Sequence, residues 1–433
     1  MTARPPHLQV WLDGVAVALR AGSVLALDVE ERSDEASSAR IMLDLTPVGG
    51  SSKPGDWDAL EYGPFAAERG VPAFRLLSRV TVAFGFEAGA DETAITATVF
   101  DGYVTAVEPV IGRGRVPDSY LVLTCLDASC LMHLETVTRT WDGQTDAQIA
   151  AEIFGKYGFA CTPGDTIEDS GVSHDADLPG LVQRGTDAEF LRMLARRNGF
   201  EWYIEPAGDV HAGTHPGHDV AGHFHSPRVG IEPQPELALF PRLTPTLQTF
   251  RARFDSHQPT RVRSWHIDER SRALQYVDLQ GTDLMRMGTH SRADVVAERL
   301  STIQPVKAGA ATATTVATGR TSAGSLPATL DIASGNVPCS RVDLGNLARA
   351  SLRVADWFVT GTGTVQSDRY PAIVRSRRPV TVSGAGHLLD GRWYVQAVRH
   401  RWGVDPAEPE REQRIRRYEA DVTVVRNALS GAA

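Results

Sequence analysis

Lysine is nearly absent from this chain of 433 residues, standing only at Lys53, Lys156 and Lys307. Arginine carries the rest of the positive charge, and the net charge is −9. That balance argues against a broad basic surface that holds nucleic acid by its phosphates. It leaves room for a channel past which nucleic acid moves without being captured. Cysteine is scarce as well. Cys125, Cys130, Cys161 and Cys339 form no C-x-x-C pair, which speaks against a disulfide framework and fits small buried hydrophobes in a reducing compartment. No run of about 20 apolar residues appears, so no membrane segment is expected. The opening MTARPPHLQVWLDG lacks the apolar stretch of a signal peptide. His-Glu-x-x-His, Gly-x-Ser-x-Gly and Cys-His signatures are also missing, which removes the usual metallopeptidase and nucleophilic hydrolase patterns.

What is present reads as packed, folded protein. Apolar residues make up 42% and charged residues 22%, and the length calls for two to four domains (about 100–200 residues each). Residues 1–133 read as β structure. Leu8, Val10 and Leu12 alternate into an Asp13-Gly14 turn, and Val15, Val17 and Leu19 alternate out of it; Asp-Gly accepts the positive φ of a primed hairpin turn. Further strands are expected at Ile41–Leu45, Val80–Phe84, Ile95–Val99, Val104–Val107 and Leu121–Cys125. Gly49–Pro72 reads as a long loop.

Residues 134–232 read as a small α/β module with a His-rich loop. Thr145 and Gln148 have capping-box spacing, and Ile149, Ile153, Phe154 and Tyr157 line one face before Gly158. Thr186 and Glu189 repeat the box, with Asp187 as a charge complementing the helix dipole. Phe190, Leu191, Leu194 and Ala195 share a face, Asn198-Gly199 stops the helix, and Phe200, Trp202 and Ile204 alternate as a strand. Residues 206–232 hold His211, His215, His218, His223 and His225, five of the chain's 13 histidines. Such a cluster can ligate a divalent metal; the plainer reading is a Gly/Pro-rich surface loop that binds none.

Residues 233–433 return to β structure, with strands at Tyr276–Leu279, Val380–Val382, Tyr394–His400 and Tyr418–Val425. Helices are expected near Ser291–Thr302 and Leu344–Phe358. Gly309–Thr329 is low in complexity, and Pro406–Arg417 reads as an exposed loop. One echo joins the two ends of the chain. Phe100-Asp101-Gly102-Tyr103-Val104-Thr105-Ala106-Val107 is matched by Leu389-Asp390-Gly391 and, two residues on, Tyr394-Val395-Gln396-Ala397-Val398. Both read as Asp-Gly hairpins leading into Tyr-Val-x-Ala-Val, which raises the duplication of one β-domain.

The block QRGTDAEFLRMLARRNGFEWYI (183–204) resembles a signature of the phage late control D family, the baseplate hubs of contractile tails and the hub half of type VI spike proteins. Asp101–Val104, Leu123–Asp127, Thr145–Ile149, Phe240–Leu243, Gln248–Phe254, Gly384–Gly386 and Asp390–His400 follow in that family's order. The resemblance implies an α+β, mainly β fold with two tail-tube-like β-barrel domains (1–133 and 233–433) and the inserted module (134–232). It implies a homotrimeric hub whose six barrels match a hexameric inner tube or tube-initiator protein on one side and a trimeric spike on the other. Baseplate wedge proteins would be further partners. No cofactor, metal, direct nucleic-acid binding or enzymatic activity is implied. Assembly in the bacterial cytoplasm is expected, and because the chain closes with RNALSGAA after its last strand, the spike is expected to be a separate protein. Two other readings stay open on the residues alone: a metal-dependent or cell-wall hydrolase using His211–His225, and a carbohydrate-binding β-protein. Among the tryptophans, Trp202 reads as core, while Trp141, Trp265, Trp393 and Trp402 stand open as core or interface anchors.

Overall fold

The computed structural model describes residues 6–16, 24–44, 76–87, 95–110, 120–174, 181–206, 220–240, 245–255, 259–268, 271–281, 283–296, 329–332, 340–403 and 418–430. The N-terminal strands are β1 (Pro6–Leu12), β2 (Val15–Ala16), β3 (Val24–Arg32), β4 (Ser38–Asp44), β5 (Arg79–Phe86), β6 (Ile95–Val110) and β7 (Tyr120–Asp127). The module follows as β8 (Thr136–Trp141), α1 (Asp146–Lys156), β9 (Leu181–Thr186), α2 (Asp187–Asn198), β10 (Glu201–Pro206) and β11 (Val220–His225). Next come β12 (Gln234–Ala238), β13 (Leu247–Phe254), β14 (Arg261–Ile267), β15 (Leu274–Gln280), β16 (His290–Ser291) and β17 (Thr329–Ile332). The chain closes with α3 (Arg341–Asp356), β18 (Val359–Val365), β19 (Pro379–Ser383), β20 (Gly391–Gly403), β21 (Glu419–Arg426) and β22 (Ala428–Leu429).

Asp13 and Gly14 both take positive φ, 47° and 87°, and set Leu12 opposite Val15 in the expected two-residue hairpin. Most of the remaining strands join one 13-stranded sheet. Its N-terminal part runs β1-β5-β6-β7-β4-β3 and its C-terminal part β12-β19-β20-β21-β18-β13. Taken in chain order, the two parts have the same strand order. They also share two of their irregularities, although the register shift between β5 and β6 has no counterpart between β19 and β20. β6 skips Thr105 between Val104 and Ala106 against β7, and β20 skips Gln396 between Val395 and Ala397 against β21. β3 skips Leu25 against β4, and β13 skips Gln248 against β18. A bulge adds one residue and bends the strand, so two bulges at matching places mean matching bends. The parts differ at their outer strand: β1 runs antiparallel to β5, whereas β12 runs parallel to β19.

Two tail-tube-like β-barrel domains were expected; among the described strands the β20–β3 ladder joins the two parts into one curled sheet. The curl brings β5 back over β20 and β21, where Phe84 stacks on Tyr418 with centroids 4.5 Å apart and meets His400 and Trp402 at 5.8 and 6.3 Å. A single apolar core therefore draws on both parts, from Val10 and Ile41 to Trp393 and Val422.

The first half of the echo was read as a hairpin, and the structure corrects this. Asp101 and Gly102 lie inside the 16-residue β6, which runs straight through them. Asp101 is buried against Arg79, whose Nε donates over 2.7 Å. A Cβ at Gly102 would lie 2.7 Å from the Asp127 Cα, so glycine serves here as a place of close strand approach rather than a turn. The second half does sit at a hairpin, since β19 and β20 pair antiparallel around residues 384–390.

Candidate assembly surfaces and the buried polar network behind them

The 183–204 block forms the centre of the α/β module. Both capping boxes are complete: Thr145 with Gln148, and Thr186 with Glu189, each side chain bonded to the other's backbone N–H. Phe190, Leu191 and Leu194 are buried with Ile149, Phe154, Trp202 and Phe224 in a core separate from that of the large sheet. Tyr103 of β6 packs against this core, so the module rests on the strand that carries the echo.

Gln-Arg-Gly (183–185) belongs to β9, which pairs with β8, a strand the sequence reading missed. Gln183 is buried; its Oε1 accepts from Trp141 Nε1 at 3.0 Å and its Nε2 donates to Asp187 at 2.6 Å. Asp187 also accepts from Lys156 (2.9 Å) and the Tyr157 hydroxyl (2.8 Å). Burial pushes its carboxyl up, but these donors outweigh that and hold it below the usual range. Asp187 is thus held ionised by three fixed donors.

A second buried chain of polar groups clamps α3 onto the module. Asp146 accepts from Asn198 (2.8 Å) and Ser170 (2.9 Å) and pairs with His174 Nε2 at 2.7 Å. Asn346 of α3 donates to Asn198 at 2.8 Å. Arg353 donates to the carbonyls of Asn198 and Gly199 at 3.2 and 3.1 Å while gripping Asp283 with both arms. Gly199 has φ 65°, as the helix stop requires. A Cβ there would also lie 2.8 Å from the Ala350 Cα. The same residue therefore ends one helix and lets another approach.

His223 and His225 were placed in a surface loop, and this too is corrected: both lie on β11, buried against β10. His223 Nε2 meets Glu205 at 3.1 Å, and Tyr203 OH lies 3.2 Å from His225 Nε2. Burial lowers His225 to about 4. Glu205 is raised by burial, but the His223 hydrogen bond and the Arg375 and Arg377 charges prevail, leaving it at about 2. His211, His215 and His218 lie outside the described residues. Among the described residues no group of three or more His, Cys, Asp or Glu is placed to hold a metal.

The remaining echo residues also have fixed hydrogen-bond partners or a set backbone conformation. Asp390 accepts from the Ala385 N–H at 2.8 Å, and Gly391 begins β20 at φ 123°. Tyr394 is buried and donates to Glu201 at 2.5 Å; burial raises Glu201 to about 7 despite that bond. His400 is buried with Nδ1 2.7 Å from Tyr418 OH, and burial lowers it to about 4.

Among the described residues two surfaces stand out as open. A cleft beside α2 is lined by Arg184, Arg192, Arg196 and Arg197; its one carboxylate, Glu189, is committed to the helix cap. That composition suits an anionic partner and offers no acid–base pair. The β14–β15 hairpin packs Val262, Val277 and Leu279 on α3 and turns Trp265, Ile267, Leu274 and Tyr276 outward. Trp265 faces Tyr276 and Ile267 faces Leu274 across the ladder, a contiguous apolar face of the kind that marks an interaction site. Trp265 is 45% exposed, whereas Trp141, Trp202 and Trp393 are buried. No helix among the described residues is long and apolar enough to cross a membrane.

No protein-family model matches the sequence, and no curated protein matches it. Solved structures share its fold. The tail protein from Neisseria meningitidis MC58 is 11% identical with a TM-score of 0.55, over 98% of this chain and 97% of that one. The 43 kDa tail protein of prophage MuSo2 from Shewanella oneidensis is 11% identical with a TM-score of 0.55, over 98% and 100%. The Francisella PdpA–VgrG complex in its lidded form is 8% identical with a TM-score of 0.51, over 100% of this chain and 55% of that one. The chain thus has a tail-protein fold along nearly its whole length, mainly β with a curled sheet.

Proposed function

We propose that the chain is the structural hub of a phage tail baseplate or contractile injection particle. It acts as a homotrimer that joins a hexameric inner tube, or its initiator, to a trimeric spike, with wedge proteins around it. The observation that carries this reading is the repeated strand order with its matched bulges. A threefold body that must meet a sixfold tube needs two similar faces per chain, and a repeated strand set supplies them. The tail-protein fold supports the same reading, as does the late control D resemblance of residues 183–204. The domains are then 1–133 and 233–433 as the tube-like units, with 134–232 as the insert.

In this reading the chain has no catalytic activity of its own. Among the described residues, buried acids and histidines such as Asp187, Asp146 and His174 are tied to fixed partners. The protein assembles in the bacterial cytoplasm and becomes part of the particle, with its acidic balance repelling rather than binding nucleic acid. Symmetry determination by cryo-electron microscopy of the purified chain or particle tests the proposal. A threefold ring capping the tube is expected. A monomer, or a ring of another order, overturns the hub, and hydrolysis of peptidoglycan or peptide by the isolated chain favours the tail-tip hydrolase instead.

A further inference from the structure

The cleft beside α2 gathers more positive charge than folding requires. Arg192 and Arg196 stand one turn apart on the helix, and Arg184 of β9 lines the same cleft. Like charges four residues apart destabilise a helix slightly. Arg196 and Arg197 fall in the last turn, where the helix dipole favours a cation, but Arg192 lies a turn too early for that.

The acids near the cleft are already committed. Asp343 of α3, a buried carboxylate, pairs with Arg197 and fixes it between the two helices. Glu189 accepts from the Thr186 N–H at 3.0 Å, and that bond, ahead of the nearby His133 and Arg192 charges, holds its carboxyl below the usual range. Gly185 makes room for it, since a Cβ there would lie 2.8 Å from Glu189 Oε2. Arg184, Arg192 and Arg196 have no side-chain hydrogen bond or salt bridge among the described residues. Three arginines against the single Glu189 leave two charges unanswered, on a chain whose net charge is −9. The cleft is not purely polar. Met193 of α2 and Leu347 of α3 also line it, both half-buried. Its volume of about 590 Å³ admits a few side chains rather than a folded surface.

We propose that this cleft docks a short acidic segment of another protein, in which carboxylates flank an apolar side chain. The carboxylates take the guanidinium forks of Arg184, Arg192 and Arg196, each able to offer a carboxylate two parallel N–H donors. The apolar side chain lies against Met193 and Leu347. Methionine suits that place because its unbranched thioether adapts to side chains of different shape. A nucleic acid fits less well on two counts. No aromatic side chain lines the cleft to stack a base, and a phosphate backbone offers nothing apolar to Met193 and Leu347. A long polyanion also meets the acidic balance of the whole chain, whereas a short segment feels mainly charges within about 8 Å at physiological salt. The docking belongs to a single chain and does not depend on a threefold ring.

Fluorescence anisotropy with the whole chain tests this. The probe is a labelled peptide of repeated Glu-Glu-Leu. Its comparisons are Gln-Gln-Leu repeats, glutamate repeats without leucine, and a labelled oligothymidylate of matching length. The Glu-Glu-Leu peptide should bind, more weakly as salt rises. The glutamine peptide should bind at least tenfold more weakly, and the glutamate-only peptide several-fold more weakly. Arg192→Glu combined with Arg196→Glu should weaken the first peptide tenfold or more. Arg251→Glu, a reversal at an exposed arginine on β13, should leave it unchanged. Met193→Ser should remove the advantage of leucine while sparing the glutamate-only peptide. Circular dichroism checks the fold of each variant. Absence of Glu-Glu-Leu binding, or binding that survives the double reversal, overturns the proposal. Equal affinity for the two glutamate peptides overturns it too, reducing the cleft to a plain anion site. Oligothymidylate that binds more tightly than the peptide and is lost on the same reversal replaces it with a nucleic-acid site. None of these results touches the hub, which the symmetry of the assembly decides.

Discussion

Replacing Gly199 by alanine separates a helix stop from a tertiary contact. At φ 65° the residue is left-handed, and an L side chain there costs roughly 1–2 kcal/mol. The added Cβ would also meet the Ala350 Cα at 2.8 Å and the Ala350 Cβ and Arg353 Cδ at 3.1 Å. Because the nearest atom is backbone, α3 must shift as a body, and overpacking of this kind costs about 1–3 kcal/mol. The sum is about 2–5 kcal/mol. Gly143 supplies the control: its φ is 70°, but a Cβ there would have nothing within 4 Å, so Gly143→Ala should cost only the first part, about 1–2 kcal/mol. A chain this long need not unfold in one step. Native-state hydrogen exchange is therefore the suitable assay, read on α3 amides for Gly199→Ala and on α1 amides for Gly143→Ala. Equal losses at the two sites, or unchanged α3 protection in Gly199→Ala, would refute the close-approach argument and reduce Gly199 to an ordinary C-cap.

Leu191 is fully enclosed, and Leu191→Ala should destabilise the module by about 2–5 kcal/mol; a loss under about 1 kcal/mol in the same exchange assay would mean the site is not core. Two buried groups give opposite pH dependences. Glu201 titrates at about 7 when folded, above its unfolded value, so the stability it contributes is full below about pH 4.5 and is lost as pH rises through 7. Glu201→Gln should therefore raise stability at pH 8, on the order of a few kcal/mol, and leave it little changed at pH 4. His400, lowered to about 4, contributes above pH 6.5 and loses that as pH falls toward 4, so His400→Gln should flatten the acid limb; melting curves from pH 4 to 8 that shift in parallel for both variants would contradict this. Elemental analysis after mild dialysis should find no stoichiometric metal, and one zinc or nickel per chain, lost on changing His215 and His218 to Ala, would restore the metal reading.

The elements legible in the sequence are those whose determinants are local. Asp13-Gly14 specifies its turn by backbone preference. Thr145–Gln148 and Thr186–Glu189 specify two helix starts by reciprocal hydrogen bonds within four residues, and the 3.6-residue spacing of Phe190, Leu191 and Leu194 marks the buried face. Alternating apolar runs located β1, β4, β5, β7, β15, β19 and β21 for the same reason. The Tyr-Val-x-Ala-Val echo was also readable, and its middle residue is the bulge in both copies.

Tertiary structure decided the rest, because those choices depend on residues far away in the chain. Asp101-Gly102 has the composition of a turn, but Arg79 neutralises the aspartate and the close approach of the Asp127 backbone uses the missing Cβ, so the strand continues. β3, with its run of acids, gives little sign of lying mid-sheet. Glu31 is nonetheless fully buried because Arg375 pairs with it at 2.7 Å and the Ser376 N–H donates at 3.0 Å. His223 and His225 look like loop ligands until Tyr203 and Glu205 on the neighbouring strand supply their partners. Above all, the union of two strand sets into one sheet rests on the β20–β3 ladder, across which Arg399 pairs with Asp28. No local window contains both sides of that ladder, since a strand's residues fix its pleat and faces, while its neighbour is chosen only when the chain has folded back far enough to present matching charge and register.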